Sequence, residues 1–387
     1  MIRLLRKYFK GDGIVWGVIV LLSVFSLLAV YSSTGTLAYK YQGGNTAYYF
    51  LKHGIILLLS IAIIFVTHNI PYKYYSRLAQ LLFFISLPLL VATLVAGTSL
   101  NEASRWLTLP GIGLTIQTSD LAKLALIMYL ARKLSLKQDK IKSLKEAFLP
   151  VILPVVLVCL LILPANLSTA LILFATSLVL MFIGRISFKH LSVLAGIGLV
   201  TLVLFLLIAN AIHMGGRIGT WQNRIENYMS GDDEENYQVE QAKIAVATGG
   251  LVGKGPGHST QRNFLPHPYS DFIYAIIIEE YGLVGGLIIL ILYLYLLYRA
   301  GVIVRRSNRA FPALLAIGLA TSLVFQAMIN MAVAVNLFPV TGQTLPLVSM
   351  GGSSMFFTSI ALGIILSVSR GVETNLKKEK HVAAATT

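Results

Sequence analysis

Ten apolar runs, each long enough to cross a bilayer, constrain this chain more than any other feature. They fall near residues 14–31, 51–69, 78–97, 114–134, 147–164, 167–184, 188–213, 272–298, 312–337 and 347–369. A hydrocarbon core takes roughly 20 residues of α-helix at a rise of about 1.5 Å each. With 56% hydrophobic and 12% charged residues and a mean hydropathy of +0.76, the composition lies outside that of soluble globular domains. The expected fold is therefore an all-α polytopic integral membrane protein, with ten transmembrane helices in a single domain over 1–387. The fourth run, around Lys123, is the least hydrophobic, and only Ala165 and Asn166 part the fifth from the sixth.

Basic residues set orientation, because Lys and Arg are retained on the cytoplasmic side. They cluster in the amino tail (Arg3, Arg6, Lys7, Lys10), at Lys73 and Arg77, from Arg132 to Lys145, at Arg185 and Lys189, from Arg299 to Arg309, and from Arg370 to Lys380. Threading ten spans alternately brings all these groups to one face, with both termini cytoplasmic. The expected layout is a tail over 1–13, a ten-helix core over 14–369, an extracytoplasmic loop over 215–271 between helices 7 and 8, and a second tail over 370–387. The net charge of +15 follows from that topology and from attraction to anionic membrane lipids, so no nucleic acid is implied. The basic amino end reads as an uncleaved first helix, since its apolar core is long for a signal peptide. The single cysteine, Cys159, lies in an apolar run, which excludes an intrachain disulfide or a cysteine metal site.

Polar chemistry concentrates between Gly249 and Leu283. Asp271 stands where the eighth run begins, so it either caps a helix by accepting from orphan amides or serves as a carboxylate suited to general-base work. Glu279 and Glu280 follow two turns later, and ionisable groups at membrane depth are functional candidates unless they are partnered. The alternative reading is that they are structural partners for Lys123. Arg105, Lys123, Lys254 and Arg262 are the cations able to meet an anionic group such as a pyrophosphate. Gly253 to Gly257 lacks the frame of a phosphate-binding P-loop, and the seven histidines show no metal-ligand spacing. Gln326 and Asn330 form an i, i+4 amide pair, read as interhelical glue or cavity lining. The stretch 339–354 brings Ser349, Ser353 and Ser354 among prolines and glycines, and irregular backbone beside membrane helices is tolerated where it lines a cavity. Trp221 and Tyr228 are placed at headgroup level, and 231–236, with four consecutive acids, reads as a solvated turn.

Several strings, ordered along almost the whole chain, resemble the SEDS family (shape, elongation, division and sporulation), which includes FtsW and RodA. They are NEASRW with QTSDLAKL within 101–124, LSTALIL at 167–173, YQVEQAKIAVATGGLVGKGPGHSTQ at 237–261, LPHPYSDFIYAIIIEEYG at 265–282, and QAMINMAVAVNLFPVTGQTLPLVSMGGSS at 326–354. The GPGHS string and the YSS after the first helix lean towards the division members. Two departures stand out: Gln117-Thr118-Ser119-Asp120 lacks the usual proline, and Asn166 replaces an acid.

The resemblance implies a peptidoglycan glycosyltransferase in the bacterial cytoplasmic (inner) membrane, with its active site facing outside. It would polymerise lipid II in septal wall synthesis, beside a class B penicillin-binding protein and other divisome or elongasome membrane proteins. Asp271 aligns with the family's catalytic aspartate. As general base it would take the proton of the acceptor's 4-hydroxyl, which attacks the donor's anomeric carbon and displaces undecaprenyl pyrophosphate with inversion. Arg105, Trp106, Lys123, Lys254, Gln261, Arg262, Glu279, Gln326, Asn330, Ser349, Ser353 and Ser354 are the expected substrate-binding residues. No metal ligands and no obligatory cofactor are expected, although a divalent cation (Mg or Mn) could assist. The alternatives are a lipid II flippase and a non-catalytic scaffold for the transpeptidase.

Overall fold

A computed structural model of the chain describes residues 9–100, 103–108, 115–211 and 234–386. Twelve α-helices lie among them: α1 Gly13–Ser33, α2 Gly35–Tyr41, α3 Thr46–Asn69, α4 Tyr72–Ala96, α5 Thr118–Leu136, α6 Leu149–Ile162, α7 Leu167–Ile183, α8 Phe188–Ala211, α9 Glu234–Gly249, α10 Ile273–Arg305, α11 Ala310–Ala334 and α12 Gly352–Thr386. Each of the ten expected runs coincides with a helix. Among the described residues, seven stretches are long and apolar enough to cross a membrane: α1, α3, most of α4, α6 with the π turn before it, α10, α11 and the first part of α12. The fold is mostly helical and polytopic.

Local sequence explains several starts. Asp12 caps α1 by accepting from the N–H groups of Ile14 (2.9 Å) and Val15 (3.3 Å), and its other oxygen pairs with Arg299. Asn45 caps α3 through Tyr48 N–H. Asn166, the residue standing where an acid was expected, caps α7 by accepting from Thr169 N–H at 3.1 Å. A carboxamide oxygen does this as well as a carboxylate.

Helix α5 occupies the centre. Every residue from Ala122 to Ala131 is buried, against α4, α6, α7, α11 and α12. A helix surrounded by protein needs no lipid-facing stripe, which is why this run is the least hydrophobic and can carry Asp120 and Lys123. The apolar residues that are exposed, such as Leu58, Val95, Leu153 and Phe188, lie on the outer helices, where lipid is the solvent.

Two segments read as loops are structured. Within 97–120, strands β1 Thr98–Leu100, β2 Ala103–Thr108 and β3 Thr115–Gln117 form an antiparallel sheet in the order β1-β2-β3, so the chain is not wholly helical. Trp106 pairs with Thr98 on one side and Gln117 on the other, and Gln117 leads directly into α5. Within 215–271, Glu234–Asn236 open α9 instead of a solvated turn. Trp221, Tyr228 and the remaining acids of that turn lie outside the described residues.

Candidate active site

Asp271 is half-buried and precedes α10 by two residues; the cap position is Phe272, so Asp271 stands just outside it. Its position is fixed through three successive carbonyls. Tyr269 O accepts from Met350 N–H (2.9 Å), Ser270 O from Ser349 Oγ (2.6 Å), and Asp271 O from Asn330 Nδ2 (2.9 Å). Ser270 Oγ donates to Asp271 Oδ1 at 2.8 Å. The irregular stretch 335–351 thus holds the aspartate's backbone from one side, while the carboxylate stays half-accessible. Outside the membrane-spanning helices, burial and the adjacent Asp271 charge push the Tyr269 hydroxyl above its ordinary pKa.

The amide pair on α11 organises that irregular stretch. Asn330 Nδ2 also donates to Gln343 O (2.7 Å), and Gln326 Nε2 donates to Thr344 O (2.9 Å). Gln326 Oε1 in turn accepts from Lys123 Nζ at 2.8 Å, and Lys123 forms an ion pair with Asp120 one turn away, also at 2.8 Å. Ser353 Oγ accepts from Gln117 N–H, and Ser354 Oγ lies 3.3 Å from Thr344 Oγ1. Asp120, Lys123, Gln326, Ser354 and Thr358 line a narrow cleft of about 30 Å³, and Asp271 is outside its lining. Sequence reasoning proposed Lys123, Gln326, Asn330, Ser349, Ser353 and Ser354, and the structure gathers them here. Trp106 lies on the central strand β2, paired with Gln117; the Arg105 side chain lies outside the described residues.

Lys254, Gln261, Arg262 and Glu279 belong to a second cluster. Glu279 is fully buried and accepts from Lys254 Nζ (2.6 Å), Ser259 Oγ (2.5 Å), Thr260 Oγ1 (2.8 Å), Thr260 N–H (3.1 Å) and Gln261 N–H (3.3 Å). The partner is Lys254 and not Lys123, because α5 carries its own acid and the 254–261 loop folds directly over α10. Glu280 accepts from Ser32 Oγ and from Ser259 N–H, and Arg262 donates to Ser32 O (3.0 Å) and Ser32 Oγ (3.1 Å). Lys254 and Arg262 are therefore engaged within the protein. Ser259, Thr260 and Ser32 were missed by sequence reasoning; the only sign of the first two was a hydroxyl pair after a run of glycine turns.

Backbone contact joins this loop to α10. Gly282 has φ 70° and ψ −175°, a conformation essentially reserved for glycine, and it breaks the helix's internal hydrogen bonding. The loop replaces them: Leu283 N–H donates to Gly250 O (2.9 Å), Val284 N–H to Leu251 O (3.3 Å), and in return Lys254 and Gly255 N–H donate to Glu279 O and Glu280 O, each at 2.9 Å. A Cβ on Gly282 would sit 2.1 Å from Leu251 O, and one on Gly253 2.2 Å from Glu280 O. No cluster of three or more His, Cys, Asp or Glu side chains exists among the described residues.

A family model described as cell cycle protein, for FtsW, RodA and SpoVE, matches residues 12–374. The probable peptidoglycan glycosyltransferase FtsW of Trichlorobacter lovleyi is 34% identical over 386 residues, covering 96% of this chain and 97% of that protein. Stage V sporulation protein E of Bacillus subtilis is 34% identical over 357 residues, covering 90% and 94%. Among solved structures, the Thermus thermophilus rod shape determining protein RodA superposes with a TM-score of 0.65 at 27% identity, covering 94% of this chain and 98% of that one. A structure described as showing structural coordination of polymerization and crosslinking by a peptidoglycan synthase complex gives 0.70 at 26% identity, with coverage of 94% and 98%. A match of this extent, joined to a helical scaffold that grips the aspartate of the 265–282 block, shows that the chain belongs to the FtsW/RodA/SpoVE family of multi-pass bacterial membrane proteins.

Proposed function

We propose that the chain is a peptidoglycan glycosyltransferase that polymerises lipid II with Asp271 as general base. The observation that carries this reading is the grip on carbonyls 269–271, which fixes the aspartate's backbone while its carboxylate stays half-accessible. Such preorganisation is what a base needs to meet a substrate hydroxyl at hydrogen-bond distance. Asp271 takes the proton of the acceptor sugar's 4-hydroxyl; that oxygen bonds to the anomeric carbon of the donor, and the bond from that carbon to the pyrophosphate oxygen breaks with inversion. Undecaprenyl pyrophosphate leaves with the electron pair. Lys123, backed by Gln326 beside the cleft, is the cation proposed to meet the developing negative charge, and Arg105 and Trp106 are kept as proposed substrate-binding residues from their place in the sequence. Lys254, Gln261, Arg262 and Glu279 act on substrate through the shape of the loop they hold.

The reading carries the ten helices that match the ten runs as ten crossings of the inner membrane, both termini cytoplasmic, and the site on the outer face. It also carries a septal role and a class B penicillin-binding protein as partner, supported by the FtsW relatives and by the synthase-complex neighbour. Glycan polymerisation from lipid II by purified wild type and Asp271→Asn, with and without such a partner, tests it. Product is expected from wild type only. Equal product from a folded Asp271→Asn protein refutes the base assignment, and movement of labelled lipid II across vesicles without product would replace the enzyme by a flippase.

A further inference from the structure

We propose that a pocket at the basic end of the helical bundle binds the phosphate headgroup of an anionic membrane lipid. It is lined by Tyr72, Arg306, Asn308, Arg309, Leu376 and Glu379, among others, and has a cavity volume of about 230 Å³. Its depth in the membrane follows from the elements that meet there. Helix α4 begins at Tyr72, α10 ends at Arg305 and α11 begins at Ala310, while α12 passes beside them through Val372 and Leu376. The pocket thus lies within about two helical turns of where the apolar runs near 298 and 369 stop, on the face where Lys and Arg cluster, which is headgroup level.

Its chemistry suits a phosphodiester with acyl chains. Arg306 and Arg309 are exposed, and neither guanidinium makes a hydrogen bond or ion pair among the described residues. Planar guanidinium groups bind phosphate oxygens in pairs. The one lining acid, Glu379, accepts from Asn308 Nδ2 at 2.9 Å through Oε1, and the two arginines outnumber its single negative charge. Pro312, Val372 and Leu376 supply an apolar wall. Gly371 makes room for the Tyr72 ring, since a Cβ there would lie 2.5 Å from Tyr72 Cε1. Basic pockets between membrane helices are established headgroup sites in general, with each surface cation contributing about 1 kcal/mol. The inference is independent of the reaction, because it uses only the position of the helix ends and the charge of the pocket.

The test is native mass spectrometry of the full-length protein in detergent, titrated with phosphatidylglycerol, phosphatidylcholine or inorganic phosphate. The variants are Arg306→Gln/Arg309→Gln and, as a matched control on another loop, Lys142→Gln/Lys145→Gln; thermal melting checks that each is folded. Wild type should retain phosphatidylglycerol over phosphatidylcholine. The arginine pair should weaken retention about thirtyfold, the equivalent of two cations at about 1 kcal/mol each, and the lysine pair by less than threefold. Equal losses in the two variants would mean diffuse attraction to charge and overturn the site. Unchanged retention in the arginine variant overturns it too, and displacement of the lipid by inorganic phosphate at equal concentration would assign the pocket to a free anion.

Discussion

Replacing Glu279 by alanine removes the acceptor on which the whole 254–261 loop is folded, whereas replacing Lys254 by methionine removes only one of its five donor contacts. The two members of one ion pair should therefore differ in cost. Loss of the carboxylate strands Ser259, which is 3% exposed, and two backbone N–H groups; removing one member of a buried pair costs about 3–5 kcal/mol. The Lys254 side chain is 29% exposed and can recover water, which places the total near the lower end. Lys254→Met leaves Glu279 with four donors, and a partly exposed charge-assisted bond is worth about 1 kcal/mol. Glu279→Ala is thus expected to destabilise about three times as much as Lys254→Met. Thermal unfolding of the purified protein in detergent, paired with limited proteolysis of the 250–265 segment, reads both effects. Equal shifts from the two variants, or a larger one from Lys254→Met, would show that the loop is held by the lysine and not by the buried acid.

Gly282→Ala should destabilise by about 3 kcal/mol, combining backbone strain at φ 70° with the clash at Leu251 O, whereas Gly301→Ala, with nothing within 4 Å of its Cβ, should be neutral or slightly stabilising in the same melting assay. Asn330→Leu removes the donor shared by Asp271 O and Gln343 O, and lipid II polymerisation is expected to fall at least about tenfold as Asp271 loses its position, with the melting temperature much less affected.

Much of the scaffold was legible because periodicity and bilayer thickness act locally. The ten runs needed only length and hydropathy, and the Gln326 and Asn330 pair announced itself by spacing. Pairings across the fold were less accessible. Glu279 had several cations within reach in sequence, and only the folding of 249–261 over α10 selects Lys254 and withdraws it from Lys123. The weak hydrophobicity of α5 looked like an uncertain span, but it records a helix enclosed by protein. The sheet at 98–117 was hidden for another reason: strands of three to six residues leave too short an alternation to read against a background of apolar runs. Asn166 shows the limit of reading by expected residue type, since the substitution removes a charge and keeps a cap.

The Asp120–Lys123 pair has a consequence for how the protein enters the membrane. During synthesis α5 emerges 203 residues before Gln326, the other partner of Lys123. A lone Asp or Lys at the centre of a helix disfavours insertion by about 2.5–3.5 kcal/mol. Because the two charges sit one turn apart on the same helix, Asp120 and Lys123 offset each other from the moment α5 leaves the ribosome, and its remaining charges, Arg132 and Lys133, lie near its other end. The helix that later lines the cleft is thereby kept in the membrane through the interval in which α11 does not yet exist.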